Sequence, residues 1–103
     1  MFTSKYFNMG QVVCTTTLNN IMSENKQFAN EVMSALQRYC NKDWGDLLCV
    51  EDKQTNEDAL QYPDDLYLLA AYQTCKGKIY IITERISENA GDNATTLCFS
   101  DER

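Results

Sequence analysis

Two apolar stretches, residues 66–72 and 78–84, stand on either side of Thr74-Cys75-Lys76-Gly77. β-Branched and aromatic residues around a short polar turn predict a β-hairpin. In the second stretch Ile79, Ile81 and Thr83 fall on one side, and Lys78, Tyr80, Ile82 and Glu84 on the other. Both sides carry bulk, so this strand is expected in the middle of a sheet rather than at its rim. The rest of the chain must therefore supply further strands and a layer to cover them.

Val12-Val13-Cys14-Thr15-Thr16 has the β-branched character of a short strand. From Ser23 the period changes. Phe28, Val32, Leu36 and Cys40 recur every four residues, with Ala29, Met33, Ala35 and Tyr39 beside them. That spacing predicts an amphipathic helix, with Ser23 as its N-cap and Glu24 at the positive end of its dipole. Asn41 and the turn Asp43-Trp44-Gly45 should end it. Residues 51–61 predict a second, polar helix, stopped by Tyr62-Pro63-Asp64-Asp65. On it Lys53 and Glu57, four apart, are spaced to pair. Residues 87–93 read as a loop, and 94–99 as a last strand whose exposed edge would permit pairing with a second copy. The order is β-α-α-β-β-β. The expected fold is α+β: a small, mainly antiparallel sheet of three to four strands with two helices on one face. Residues 1–10 lack a pattern and are expected as a flexible leader to a single domain over 11–103.

The chain has 103 residues and no histidine. That excludes a His-based acid, base or triad and a His-ligated metal. The five cysteines, Cys14, Cys40, Cys49, Cys75 and Cys98, form no C-x-x-C pair. They are expected as small buried or half-buried hydrophobes, although Cys40 and Cys49 flank one turn and could approach each other. No apolar run is long enough to span a membrane, and the first residues lack the apolar core of a signal peptide. A cytoplasmic location is the expectation.

Charge is unevenly spread. Residues 41–66 hold eight acids and two bases, and the remaining 77 residues hold seven of each, so this one segment carries the whole net charge of −6. The acids are Asp43, Asp46, Glu51, Asp52, Glu57, Asp58, Asp64 and Asp65. Such a patch suits a basic partner and speeds encounter with it; the plainer account is a solvated helix face that keeps the chain soluble. Trp44 and Tyr62 lie within the segment as candidate aromatic anchors, although Trp44 could equally wedge the end of the first helix against the sheet. Direct binding of nucleic acid is not expected, because lysines and arginines are scattered. Glu51/Asp52 and Glu57/Asp58 are helical neighbours about 100° apart and cannot converge on one ion. No EF-hand, phosphate-loop, dinucleotide or nucleophile-elbow motif is present. The chain is expected to be neither an enzyme nor a cofactor binder.

Several of these segments also stand in a recognisable order. They are Thr15 with Leu18-Asn19-Asn20-Ile21-Met22-Ser23-Glu24-Asn25 and Phe28-Ala29, then Asp43-Trp44-Gly45-Asp46-Leu47, then Glu51-Asp52-Lys53-Gln54-Thr55-Asn56-Glu57-Asp58-Ala59-Leu60. Leu69-Ala70-Ala71-Tyr72, Lys78-Ile79-Tyr80-Ile81-Ile82-Thr83-Glu84 and Thr95-Thr96-Leu97 complete it. The set spans residues 12 to 99 and resembles short accessory proteins encoded on prophages, plasmids and conjugative elements of gut Firmicutes, with plasmid-related or restriction-associated labels. Small acidic proteins of such elements include inhibitors of bacterial immunity, anti-CRISPR proteins among them. The resemblance implies an anti-defence inhibitor and transfers no catalytic residue. The chain departs from the pattern in its leader 1–10, its longer segment 86–93 and its tail Ser100-Asp101-Glu102-Arg103.

Together these readings give an expected function. The chain would be a cytoplasmic inhibitor from a mobile genetic element that binds a host CRISPR effector or other defence nuclease and blocks its nucleic-acid site. Asp43, Trp44, Asp46, Glu51, Asp52, Glu57, Asp58, Tyr62, Asp64 and Asp65 would form the contact. The alternative is a non-enzymatic interaction or regulatory protein for plasmid or prophage maintenance. Either would be a monomer or a homodimer with no membrane contact.

Overall fold

A computed structural model describes residues 4–62, 66–86 and 93–102. Its elements are β1 (Gln11–Cys14), α1 (Thr16–Glu24), α2 (Lys26–Cys40), α3 (Val50–Ala59), β2 (Tyr67–Thr74), β3 (Gly77–Arg85) and β4 (Asn93–Phe99), closed by a 3-10 turn at Ser100–Glu102. The fold is α+β.

The hairpin forms as its pattern demands. β2 and β3 pair antiparallel from Tyr67 opposite Glu84 to Thr74 opposite Gly77. Gly77 follows the turn at a φ of 114°, a conformation that favours glycine. The sheet order is β1-β4-β3-β2, so β3 is interior. β4 pairs antiparallel with β3, but β1 lies parallel to β4, with Val13 opposite Thr96. The sheet is therefore mixed: the β2–β3 and β3–β4 pairings are antiparallel as expected, and the β1–β4 pairing is not. The last strand is also not an edge, because β1 covers it. A β-branched run shows that a segment is extended but not which way its neighbour runs. The long connection between β1 and β4, which holds the helices and the β2–β3 hairpin, is what permits a parallel pair.

Among the described residues three α-helices form, not two. Thr15 caps α1 by accepting the Leu18 N–H at 3.4 Å, and Asn25 caps α2 by accepting the Phe28 N–H at 3.0 Å. Asn25 is extended (φ −133°, ψ 107°), and its own N–H bonds Ile21 O, so one residue ends α1 and starts α2. Ser23, the expected N-cap, lies in the last turn of α1 and donates to Asn20 O at 2.7 Å. α1 escaped the periodicity because it buries only Leu18 fully.

The stripe of α2 faces the sheet as expected: Phe28, Val32, Ala35, Leu36, Tyr39 and Cys40 are buried. Opposite them lie Leu68, Ala70 and Tyr72 of β2, Ile79 and Ile81 of β3, and Leu97 and Phe99 of β4. Phe28 stacks on Phe99 with centroids 5.6 Å apart. Each fully buried side chain of this size contributes roughly 1.5–3 kcal/mol. At the tip of the hairpin the Cys75 N–H donates to Glu31 Oε1 at 2.9 Å, tying the turn to α2.

Four oxygens cross this core in series. Tyr39 Oη donates to Thr83 Oγ1, Thr83 Oγ1 lies 2.7 Å from Thr95 Oγ1, and Thr95 Oγ1 donates to Met9 O at 2.7 Å. Thr95 spends its one proton on Met9, so Thr83 must be the donor between the two threonines. Each buried hydroxyl is thereby satisfied.

That chain ends in the segment expected to be a flexible leader, and residues 4–10 pack onto the domain instead. Met9 is buried, Ser4 Oγ donates to Cys40 O at 2.8 Å, and Asn93 Nδ2 donates to Asn8 O at 2.7 Å. Phe7 meets Tyr39 edge-on at 5.4 Å. Gly10, at φ 63°, lies so close to Asn93 that an added Cβ would stand 1.9 Å from its carbonyl oxygen. Apolar residues too few to show a period still find a shared core.

Cys40 and Cys98 are buried, whereas Cys14, Cys49 and Cys75 are exposed, and all five are free thiols. No helix among the described residues is long and apolar enough to cross a membrane.

Candidate functional site

The acidic segment begins where α2 ends. Lys42 takes a φ of 64° and turns the chain. Arg38, in the last turn of α2, grips Asp43 with two hydrogen bonds, Nε to Oδ2 at 2.8 Å and Nη2 to Oδ1 at 3.1 Å. This bidentate pair, with the Gly45 N–H at 3.2 Å from Asp43 Oδ1, holds the carboxyl below its ordinary range. The Arg38 guanidinium also lies over the Tyr72 ring, 5.2 Å from its centroid, and Tyr72 Oη donates to Asp43 O. Asp43 is thus a fastener between α2 and β2.

Trp44 follows and is 4% exposed. Its ring meets Tyr39 at 5.5 Å and Phe7 at 6.2 Å. Its Nε1–H donates to Glu57 Oε2 at 2.8 Å, while Glu57 Oε1 accepts from Lys42 Nζ at 3.3 Å. Trp44 is the wedge between helix and sheet, and burial removes it as a partner anchor. Glu57 pairs with Lys42 rather than with Lys53, because the loop brings Lys42 across to α3.

α3 is set against the rim of the sheet by Asn56, which is 3% exposed. Its Nδ2 donates to Leu69 O at 2.7 Å, and its Oδ1 accepts the Leu69 N–H at 3.1 Å. Sequence reasoning passed over Asn56, together with Arg38, Lys42 and Tyr72. The one signal available was a polar residue at an inward position of a helix.

With Asn56 inward, Glu51 and Asp58 fall on the outer side of α3. Asp46, Glu51, Asp52 and Asp58 are all exposed. Asp46 has a side chain 93% exposed and lies 3.9 Å from Arg38 Nη2. Among the described residues no lysine or arginine is within ion-pair distance of Glu51, Asp52 or Asp58. Tyr62, just past α3, is 64% exposed. Asp64 and Asp65 lie outside the described residues.

The ten candidate residues therefore divide. Asp43, Trp44 and Glu57 hold the α2–α3–β2 joint together. Asp46, Glu51, Asp52, Asp58 and Tyr62 are exposed, with Glu51 and Asp58 together on the outer side of α3. No three His, Cys, Asp or Glu side chains among the described residues come together to hold a metal ion. No protein-family model matches the chain, and no curated protein or solved structure matches it.

Proposed function

We propose that this protein is a non-enzymatic inhibitor from a mobile genetic element. Its acidic α3 face would occupy the basic, nucleic-acid-binding surface of a host CRISPR effector or other defence nuclease. The observation that carries this reading is the division of the acidic segment. Asp43 and Glu57 are engaged with Arg38 and Lys42, whereas Glu51, Asp52 and Asp58 face solvent on one helix. A field that internal cations leave standing attracts a basic cleft and loses strength with salt. Tyr62, exposed just past the end of α3, would serve as an aromatic anchor. The mobile-element setting is part of the proposal and follows from the resemblance expected of the motif order.

The test is the triple variant E51K/D52K/D58K, compared with the natural chain. Purified CRISPR effectors and restriction enzymes would be assayed for DNA cleavage at low and moderate salt. Inhibition of one nuclease, weakened by salt and lost in the variant while its circular dichroism is unchanged, is the expected result. Inhibition that survives the reversal overturns charge docking. Absence of inhibition across the panel overturns the anti-defence reading.

A further inference from the structure

We propose that β1 is the docking strand of a homodimer, pairing antiparallel with β1 of a second copy about a two-fold axis at Val13. The direction of the edge follows from one bond. The Thr15 N–H donates to Leu97 O at 3.0 Å, and Val13 stands opposite Thr96. In a parallel ladder one residue turns both its N–H and C=O to the neighbouring strand, and the next turns both away. Thr15 and Val13 therefore serve β4, and the N–H and C=O groups of Val12 and Cys14 face outward along the sheet edge. All four residues of β1 are exposed. Among the described residues nothing bonds those four outward groups.

The opposite edge is built differently. On β2 the outward N–H and C=O of Leu69 are both taken by the Asn56 amide, and the Ala71 N–H donates to Trp44 O at 3.2 Å. Gly45 packs against Ala71 O so closely that a Cβ would lie 1.9 Å from it. One rim is closed by a side chain and a loop. The other holds Gln11-Val12-Val13-Cys14, with none of the lysines, prolines or bulges that keep an edge from pairing.

A second copy is the occupant that fits. With Val12 opposite Cys14 of the second copy, and Cys14 opposite its Val12, the outward groups of each strand complete four N–H···O bonds. The axis then sets Val13 against Val13 in the close, non-hydrogen-bonded position, where β-branched side chains pack well. Charge selects the same arrangement. β1 is uncharged in a chain of net charge −6. The acidic face of α3 lies beside β2, at the far end of the order β1-β4-β3-β2. Two copies joined at β1 hold their acidic faces at the outer ends of one continuous sheet, whereas joining at β2 would bring them together. This inference is independent of the anti-defence reading.

Sedimentation velocity of the full chain, reduced, from micromolar to submillimolar concentration, tests it together with two variants. V12P removes an outward donor while leaving the bonds to β4 intact, as proline on a strand edge can. It should raise the dimer dissociation constant at least ~30-fold, since two of four inter-strand hydrogen bonds go and the ring intrudes on the partner. With the exposed Cys14, Cys49 and Cys75 replaced by serine, V13C should form a disulfide-linked dimer on oxidation that the same background without it does not, and this variant decides the matter should V12P not fold. A chain that stays monomeric throughout, with V13C uncrosslinked, overturns the proposal. So does a dimer that V12P leaves unchanged, which would place the contact elsewhere. Monomeric chain that takes up an extended peptide at β1 overturns it in favour of a foreign strand.

Discussion

The indole N–H of Trp44 donates to Glu57 Oε2 at 2.8 Å, joining a buried ring to a charge at the surface of α3. The same carboxylate holds Lys42, so one side chain closes the loop between α2 and α3 from two sides. Removing it with E57A should leave a buried donor unpaired and cost about 1–3 kcal/mol, read from urea unfolding. In a double-mutant cycle with W44F the two losses should be clearly less than additive, because the phenyl ring has no donor to strand.

Asn56 acts as a surrogate strand, offering one donor and one acceptor to Leu69. N56A should destabilise by about 1–3 kcal/mol and speed hydrogen exchange at the Leu69 amide. N56D should be worse at neutral pH than near pH 4, because a carboxylate facing Leu69 O has lost its donor and a protonated acid regains one. A destabilisation of N56D relative to the natural chain that is equal at both pH values would contradict the assigned contact.

Two glycines provide a contrast. Gly45 has a φ of 88° and would place a Cβ 1.9 Å from Ala71 O, while Gly77 has a φ of 114° with open space around it. G77A should cost only the conformational term, about 1–2 kcal/mol. G45A should cost more, because the Trp44–Ala71 bond must also move. Thermal melts of the two variants side by side check the order.

Alkali should unfold the protein through its tyrosines. Burial pushes the phenols of Tyr39 and Tyr72 well above their ordinary value of 10.0. Below that value both states keep the proton and stability is unaffected. Above it the unfolded chain releases protons that the folded chain retains, so stability falls steadily with rising pH. Y39F should lessen this slope while losing the hydrogen bond to Thr83. Unfolding midpoints measured on either side of pH 10 would show it.

Much of the fold was legible where a residue's own neighbours decide its state. The alternation through Ile79, Ile81 and Thr83 identified an interior strand, and the four-residue recurrence from Phe28 to Cys40 identified the helix that covers it. α1 was not legible, because a helix that buries one leucine leaves almost no period. Residues 4–10 were missed for the same reason: Phe7 and Met9 gain their place from Tyr39, Cys40 and Trp44, which are distant in the chain. The candidate site was half visible. Counting charges located the acidic segment, but not that Asp43 and Glu57 belong to its framework and Glu51, Asp52 and Asp58 to its exterior.

The sequence by itself determined that this chain carries a hairpin, an amphipathic helix and one strongly acidic stretch, because periodicity and net charge are local sums over neighbouring residues. The tertiary structure decided that β1 runs parallel to β4, that Trp44 is buried, and that one edge of the sheet is closed by Asn56 while, among the described residues, nothing covers the other. Those outcomes depend on which distant groups meet. A backbone N–H or an indole N–H is the same donor in every context until the fold sets an acceptor, or nothing, in front of it.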